Sequence, residues 1–173
     1  MFLKELYGIT PANINQTQLT NILSYGCDTY VNFGGINRTY TSLYNLAFDE
    51  VYNLMALKFY MQNAVFNYLA TTNTKIPQTE AGMDGIKSVI RGILEQFVGN
   101  GFCAAGEWNS STTFGDPVVF RKNIQQVGYY IYSLPIAKQK QADREARIAP
   151  LIQVAVKESG SINHITVNVF VEA

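Results

Sequence analysis

The feature that most constrains this chain is the stretch from Leu43 to Leu69, in which Leu43, Leu46, Ala47, Val51, Leu54, Leu57, Met61, Val65 and Leu69 recur at intervals of three and four. That spacing lines one side of an α-helix, whose period is 3.6 residues. Ser42 stands where an N-cap accepts from the first unpaired N–H groups. The opposite side is not polar: it carries Tyr44, Phe48, Tyr52, Phe59, Tyr60, Phe66 and Tyr68. A helix apolar over so much of its circumference is expected to lie between other elements or between neighbouring subunits.

A second helix follows the polar linker Thr71 to Gln78. Thr79 is its cap, Ile86, Val89, Ile90, Ile93, Leu94 and Phe97 form one stripe, and Lys87, Arg91 and Glu95 lie outside it. Gly99-Asn100-Gly101 stops it. Before the long helix, Leu6 to Leu23 reads as a turn and a short helix capped by Thr17. Cys27 to Phe33 reads as a strand closed by Gly34-Gly35, with Arg38 to Thr41 returning. Phe102 to Gln126 is irregular and reads as a folded loop or short strands. Gly128 to Pro135 reads as a strand, and Ala137 to Arg147, mixed in charge, as a solvated loop or short helix. Leu151 to Lys157 and Ile162 to Val171 complete a C-terminal β-hairpin around Glu158-Ser159-Gly160-Ser161. The expected class is α+β or α/β: a mixed or antiparallel sheet with two main helices packed on it. One compact domain spanning residues 1–173 is expected from the length.

Composition narrows the function. Charged residues are only 15%, Lys plus Arg and Asp plus Glu number 13 each, and 47% of the chain is apolar. Nucleic-acid binding rests on clustered Lys and Arg, which a balanced charge does not supply. No basic face suggests an anionic membrane, and no stretch of about 18 apolar residues spans one. So uncharged a chain is expected to cover part of its surface with partners. Cys27 and Cys103 stand far apart without metal-ligand spacing, and both read as buried free thiols.

Catalytic constellations are absent from the pattern. His164 is the single imidazole and falls in or beside a strand. The glycines form neither a P-loop nor a strand-linked dinucleotide fingerprint. Asp49 and Glu50 on the long helix, and Glu107 and Asp116 around the irregular loop, read as surface or interface charges. The reading is therefore no enzyme, no metal and no cofactor.

Several stretches together resemble a known family: Lys4 to Pro11, Thr17-Gln18, Asn63 to Leu69, Thr74 to Gly82, Gln96 to Phe102, and Arg147 to Ile152 before Gly160 and His164. In order and spacing they are similar to phage proteins of formally unknown function allied to contractile tail sheaths. Members of that family are longer at the N-terminus, so the resemblance implies the C-terminal portion of a longer protein. It further implies an α/β domain, stacked helical rings around a tail tube, contraction by subunit rearrangement, contacts with tube and baseplate proteins, and location in the virion after assembly in host cytoplasm.

Edge strands offer unpaired N–H and C=O groups to a neighbour's sheet. The candidate is the last strand, His164, Thr166, Val167, Asn168, Val169, Phe170 and Val171, where Ile165, Val167, Val169 and Val171 share one face. The alternative is a phage tail adaptor or receptor-binding module presenting Trp108 from the loop Phe102 to Gln126. A glycan hydrolase would need a carboxylate pair such as Glu107 and Asp116 at defined separation.

Overall fold

The computed structural model describes residues 3–42, 48–160 and 166–168. The class is α+β: five α-helices and two small antiparallel sheets among the described residues. The chain divides into two compact units, with the boundary after Asn53 and the second unit formed by Leu54–Gly160.

In the first unit, α1 (Gln16–Ser24) starts at Asn15, not Thr17. The Asn15 side chain accepts from the Gln18 N–H at 2.9 Å, and the Gln18 side chain accepts from the Asn15 N–H at 2.9 Å. This reciprocal capping box satisfies two end groups together, which Thr17 inside the first turn does not. β1 (Thr29–Phe33) and β2 (Ile36–Tyr40) form the expected hairpin, with Phe33 opposite Ile36. Gly34 and Gly35 both hold positive φ, at 61° and 84°, the geometry that a two-residue turn demands and that glycine takes without steric penalty. Val31, at the centre of β1, is buried.

α2 (Phe48–Thr71) is the long helix. Residues 43–47, expected as its first turn, lie outside the described residues, and Asp49 and Glu50 sit at its N-terminal end, where the helix dipole favours negative charge. α3 (Glu80–Gly99) begins and ends where expected: Thr79 accepts from the Gly82 N–H and Asn100 closes the helix. Within the second unit, Leu57 of α2 and Met83, Ile86, Ile90, Leu94 and Phe97 of α3 make one core. Each such side chain contributes roughly 1.5–3 kcal/mol when fully withdrawn from water.

The region read as a loop contains a helix, α4 (Pro117–Val127). Asp116 caps it, accepting from Val118 at 2.8 Å and Val119 at 3.2 Å, and Pro117 occupies the first turn, where its missing N–H costs nothing. Gly128 ends it in the left-handed region.

β3 (Tyr129–Ser133) and β4 (Ile152–Val156) pair antiparallel as the C-terminal hairpin, so that among the described residues β4 takes the strand before it as its partner and not the expected Ile162–Val171. Tyr129 opposes Val156 and Ile131 opposes Val154. Side chains alternate across a strand, and here both faces are used. Tyr129, Ile131, Ile152, Val154 and Val156 join the α2–α3 core, while Tyr130, Tyr132 and Ala155 join a second core with Phe120, Ile124, Trp108 and Phe114. Between the strands run a 3₁₀ turn, Ile136–Lys138, and α5 (Gln141–Glu145), so the mixed-charge stretch does include a short helix. Of the expected final strand Ile162–Val171, residues 162–165 and 169–171 lie outside the described residues.

Candidate assembly surface

The second unit carries an apolar groove along β4. One part, about 460 Å³, is lined by Met61, Val65, Phe66 and Leu69 of α2, Ile90 of α3, and Ile152 and Val154 of β4. A second part, about 240 Å³, is lined by Leu54, Leu57, Lys58, Met61, Val154 and Val156. The two share Met61 and Val154 and so adjoin. Polar side chains enter this lining only at Gln62 and Lys58. The groove follows from the spacing of both elements: Ile152, Val154 and Val156 alternate toward the helices, and Leu57, Met61 and Val65 turn toward the sheet at intervals of four. Among the described residues β4 pairs with β3 alone.

The other face of the hairpin is closed. Phe120 and Ile124 are fully buried, and Phe120 meets Trp108, Phe114 and Tyr130 edge to face, each at 5.2 Å between ring centres. Such pairs contribute about 0.5–1.5 kcal/mol beyond their buried area. Trp108 donates its indole N–H to the Thr112 carbonyl at 2.9 Å, and Arg121 donates to the Trp108 carbonyl at 3.1 Å. The indole is thus held within the loop that was expected to present it.

Burial is the main influence on the ionisation of Cys103, Tyr129 and Tyr130. Burial pushes the Cys103 thiol up to about 11, with the nearby Glu158 charge adding to it. Burial also raises Tyr129, whose hydroxyl donates to Glu95 at 3.4 Å, and Tyr130, to which Tyr132 and Asp116 add. Asp116 is engaged by the N–H groups of α4, and Glu107 is exposed. No group of three His, Cys, Asp or Glu that could hold a metal occurs among the described residues. Neither does a described helix long and apolar enough to cross a membrane. Cys103 is buried as expected, but Cys27 is exposed, which corrects the reading of both thiols as buried. Cys27 follows the turn at Tyr25 and Gly26, in the connection between α1 and β1.

Of the residues proposed from sequence for subunit contact, Thr166, Val167 and Asn168 are exposed and outside any strand, with Val167 76% exposed. His164, Val169, Phe170 and Val171 lie outside the described residues. The groove along β4 was not anticipated. Its signal was present in the long helix, whose apolar residues exceed what one buried stripe uses.

Residues 48–171 match the family described as E217 tail sheath protein gp31-like, C-terminal domain. The chain belongs to that family. Comparison with curated proteins returns no match. The tail-sheath family is one of phage structural proteins, and its match covers the groove, both cores of the second unit and the C-terminal hairpin in a single span.

Proposed function

We propose that this chain is the C-terminal portion of a longer contractile tail-sheath subunit, which polymerises into stacked helical rings around a tail tube. The observation that carries the reading is the groove beside β4, in a chain whose family is that of a tail-sheath C-terminal domain. A strand adding to β4 gains main-chain hydrogen bonds from the edge, and its alternate apolar side chains fill the groove. Residues 164–171 of a neighbouring subunit have the matching alternation, with Ile165, Val167, Val169 and Val171 on one face. The role is structural, without catalysis or cofactor, and the working location is the phage tail after assembly in host cytoplasm. Tube and baseplate proteins are the further partners of such a polymer.

The test is negative-stain electron microscopy across a concentration series, with Val167→Lys and Val169→Lys beside the unaltered protein. Rings or tubes that disappear in the variants, with unchanged circular dichroism, support strand exchange. Discrete particles at every concentration, both here and in a chain extended at the N-terminus, overturn the sheath reading.

A further inference from the structure

β4 does not stop at Val156. The Ala104 N–H donates to the Lys157 carbonyl at 3.0 Å and the Ser159 N–H donates to the Phe102 carbonyl at 3.0 Å. Residues 157–159 therefore stay extended beyond the end of β3, with Glu158 opposite Cys103. These bonds lie on the edge of β4 that faces β3, to which the Lys157 N–H also belongs, donating to the Gly128 carbonyl at 2.7 Å. Backbone groups of successive residues point to alternate edges, so Ile152, Val154 and Val156 present theirs on the groove side. The Lys157 ammonium donates to the Glu158 carbonyl at 3.2 Å and has no ion pair among the described residues.

The edge Ile152-Gln153-Val154-Ala155-Val156-Lys157 matches Val167-Asn168-Val169-Phe170-Val171-Glu172 position for position. Branched apolar residues recur at every second place in both, glutamine corresponds to asparagine, and the final charges are opposite. We propose that the strand received by the groove is residues 167–172 of another copy, running parallel to β4 in this register, with Glu172 paired to Lys157. The inference rests on the strand exchange proposed above and adds its direction, register and donor.

Side chains on adjacent strands share a face with their lateral neighbours. Parallel alignment sets Val167, Val169 and Val171 beside Ile152, Val154 and Val156, on the face that lines the groove. On the other face it sets Asn168 beside Gln153, two amides that bond along a sheet. There Phe170 also meets Ala155, the smallest side chain of β4, and Glu172 meets Lys157. The antiparallel alternative with the same faces puts Val167 beside Val154 and His164 beside Lys157, and it carries Glu172 past the start of β4. Opposite charges on neighbouring strands attract, so Lys157 selects the parallel direction.

Direction then selects the donor. A parallel neighbour from the same chain needs a crossover of about a dozen residues or more, and residues 160–166 are all that separate Ser159 from Val167. The return that so short a connection permits is the antiparallel hairpin, which would cover Val167 beside Val154. Val167 is instead 76% exposed, and Thr166, Val167 and Asn168 lie outside any strand.

The test mixes Lys157→Cys with Glu172→Cys, each made singly in a Cys27→Ser background, under mild oxidation. Neighbouring strands lie about 4.8 Å apart, within the roughly 7 Å between Cα atoms that a disulfide allows. The mixture should give a linked dimer that neither variant gives alone, and Lys157→Cys mixed with His164→Cys should give none. A link in the second mixture in place of the first overturns the parallel direction and leaves strand exchange standing. A linked monomer of the double variant K157C/E172C, without the mixed dimer, overturns the second copy as donor. Lys157→Glu and Glu172→Lys should each raise the concentration at which assemblies appear by about fivefold or more, with unchanged circular dichroism. Both reversals in one chain should restore it to within about twofold. Reversals that add without rescue overturn the ion pair. Assemblies that persist with no link in either mixture overturn the register and keep the sheath reading, whereas discrete particles with no link overturn both.

Discussion

α2 and α3, of 24 and 20 residues, both carry apolar side chains at helical spacing, yet they meet water differently. α3 buries Met83, Ile86, Ile90, Leu94 and Phe97 and turns Lys87, Arg91 and Glu95 away from that stripe. α2 buries only Leu57 fully and leaves Leu54, Met55, Phe59, Tyr60, Phe66 and Leu69 more than half exposed. One helix spends its apolar residues on the fold of its own chain. The other holds more of them than that fold can cover, and part of the excess, Phe66 and Leu69 included, lines the groove beside β4.

The largest test of the contrast is Leu94→Ala. Leu94 is completely buried, so the lost methyl groups and the remaining cavity should cost about 2–5 kcal/mol in a urea titration. A loss below about 1 kcal/mol would mean that α3 is not the stabilising helix.

The second test is alkaline pH. Cys103 packs in the same core as Leu94, and its thiol titrates near 11 in the folded chain against 9.0 for the ordinary value. The folded state therefore favours the neutral thiol. Its contribution is complete below about pH 9 and is lost as pH rises toward 11, on the order of 2 kcal/mol in all. Unfolding titrations from pH 8 to 11 should show that decline in the unaltered protein and less of it in Cys103→Ala. Parallel curves would remove the thiol from the account.

A smaller effect is expected at Gly82, in the first turn of α3, where a Cβ would collide with the Pro77 carbonyl oxygen. Alanine normally favours a helix over glycine by about 1 kcal/mol. Here Gly82→Ala should destabilise by about 1–3 kcal/mol, because the obstacle is backbone. Stabilisation in a thermal melt would show that the approach is not close.

Least of all should be felt at Phe66→Lys. On an exposed position of α2 that lines the groove, it should change the stability of the isolated subunit by no more than about 0.5 kcal/mol while weakening assembly. A large stability loss would place Phe66 in the core and dissolve the contrast between the helices.

Much of this architecture is written in local pattern. Thr79 and Gly99-Asn100-Gly101 delimit α3, Gly34-Gly35 closes the first hairpin, and the alternation of Ile152, Val154 and Val156 marks β4. α4 was equally readable from Asp116, Pro117 and Gly128, but the aromatic residues before it, which pack on its Phe120 from a distance in sequence, disguised its start as part of a loop. α1 starts at Asn15 and not at Thr17 because Asn15 and Gln18 cap each other reciprocally, a pairing that a lone hydroxyl in the first turn does not reproduce.

The sequence by itself determined the helices, the strands and the surplus of apolar residues on α2, because caps, turns and periodicity act over a few residues. Tertiary structure alone decided which of those residues the chain could bury. That choice depends on how many partners converge on each face, and β3–β4 with α3 cover one side of α2 around Leu57 and leave the side of Phe59 and Phe66 in water.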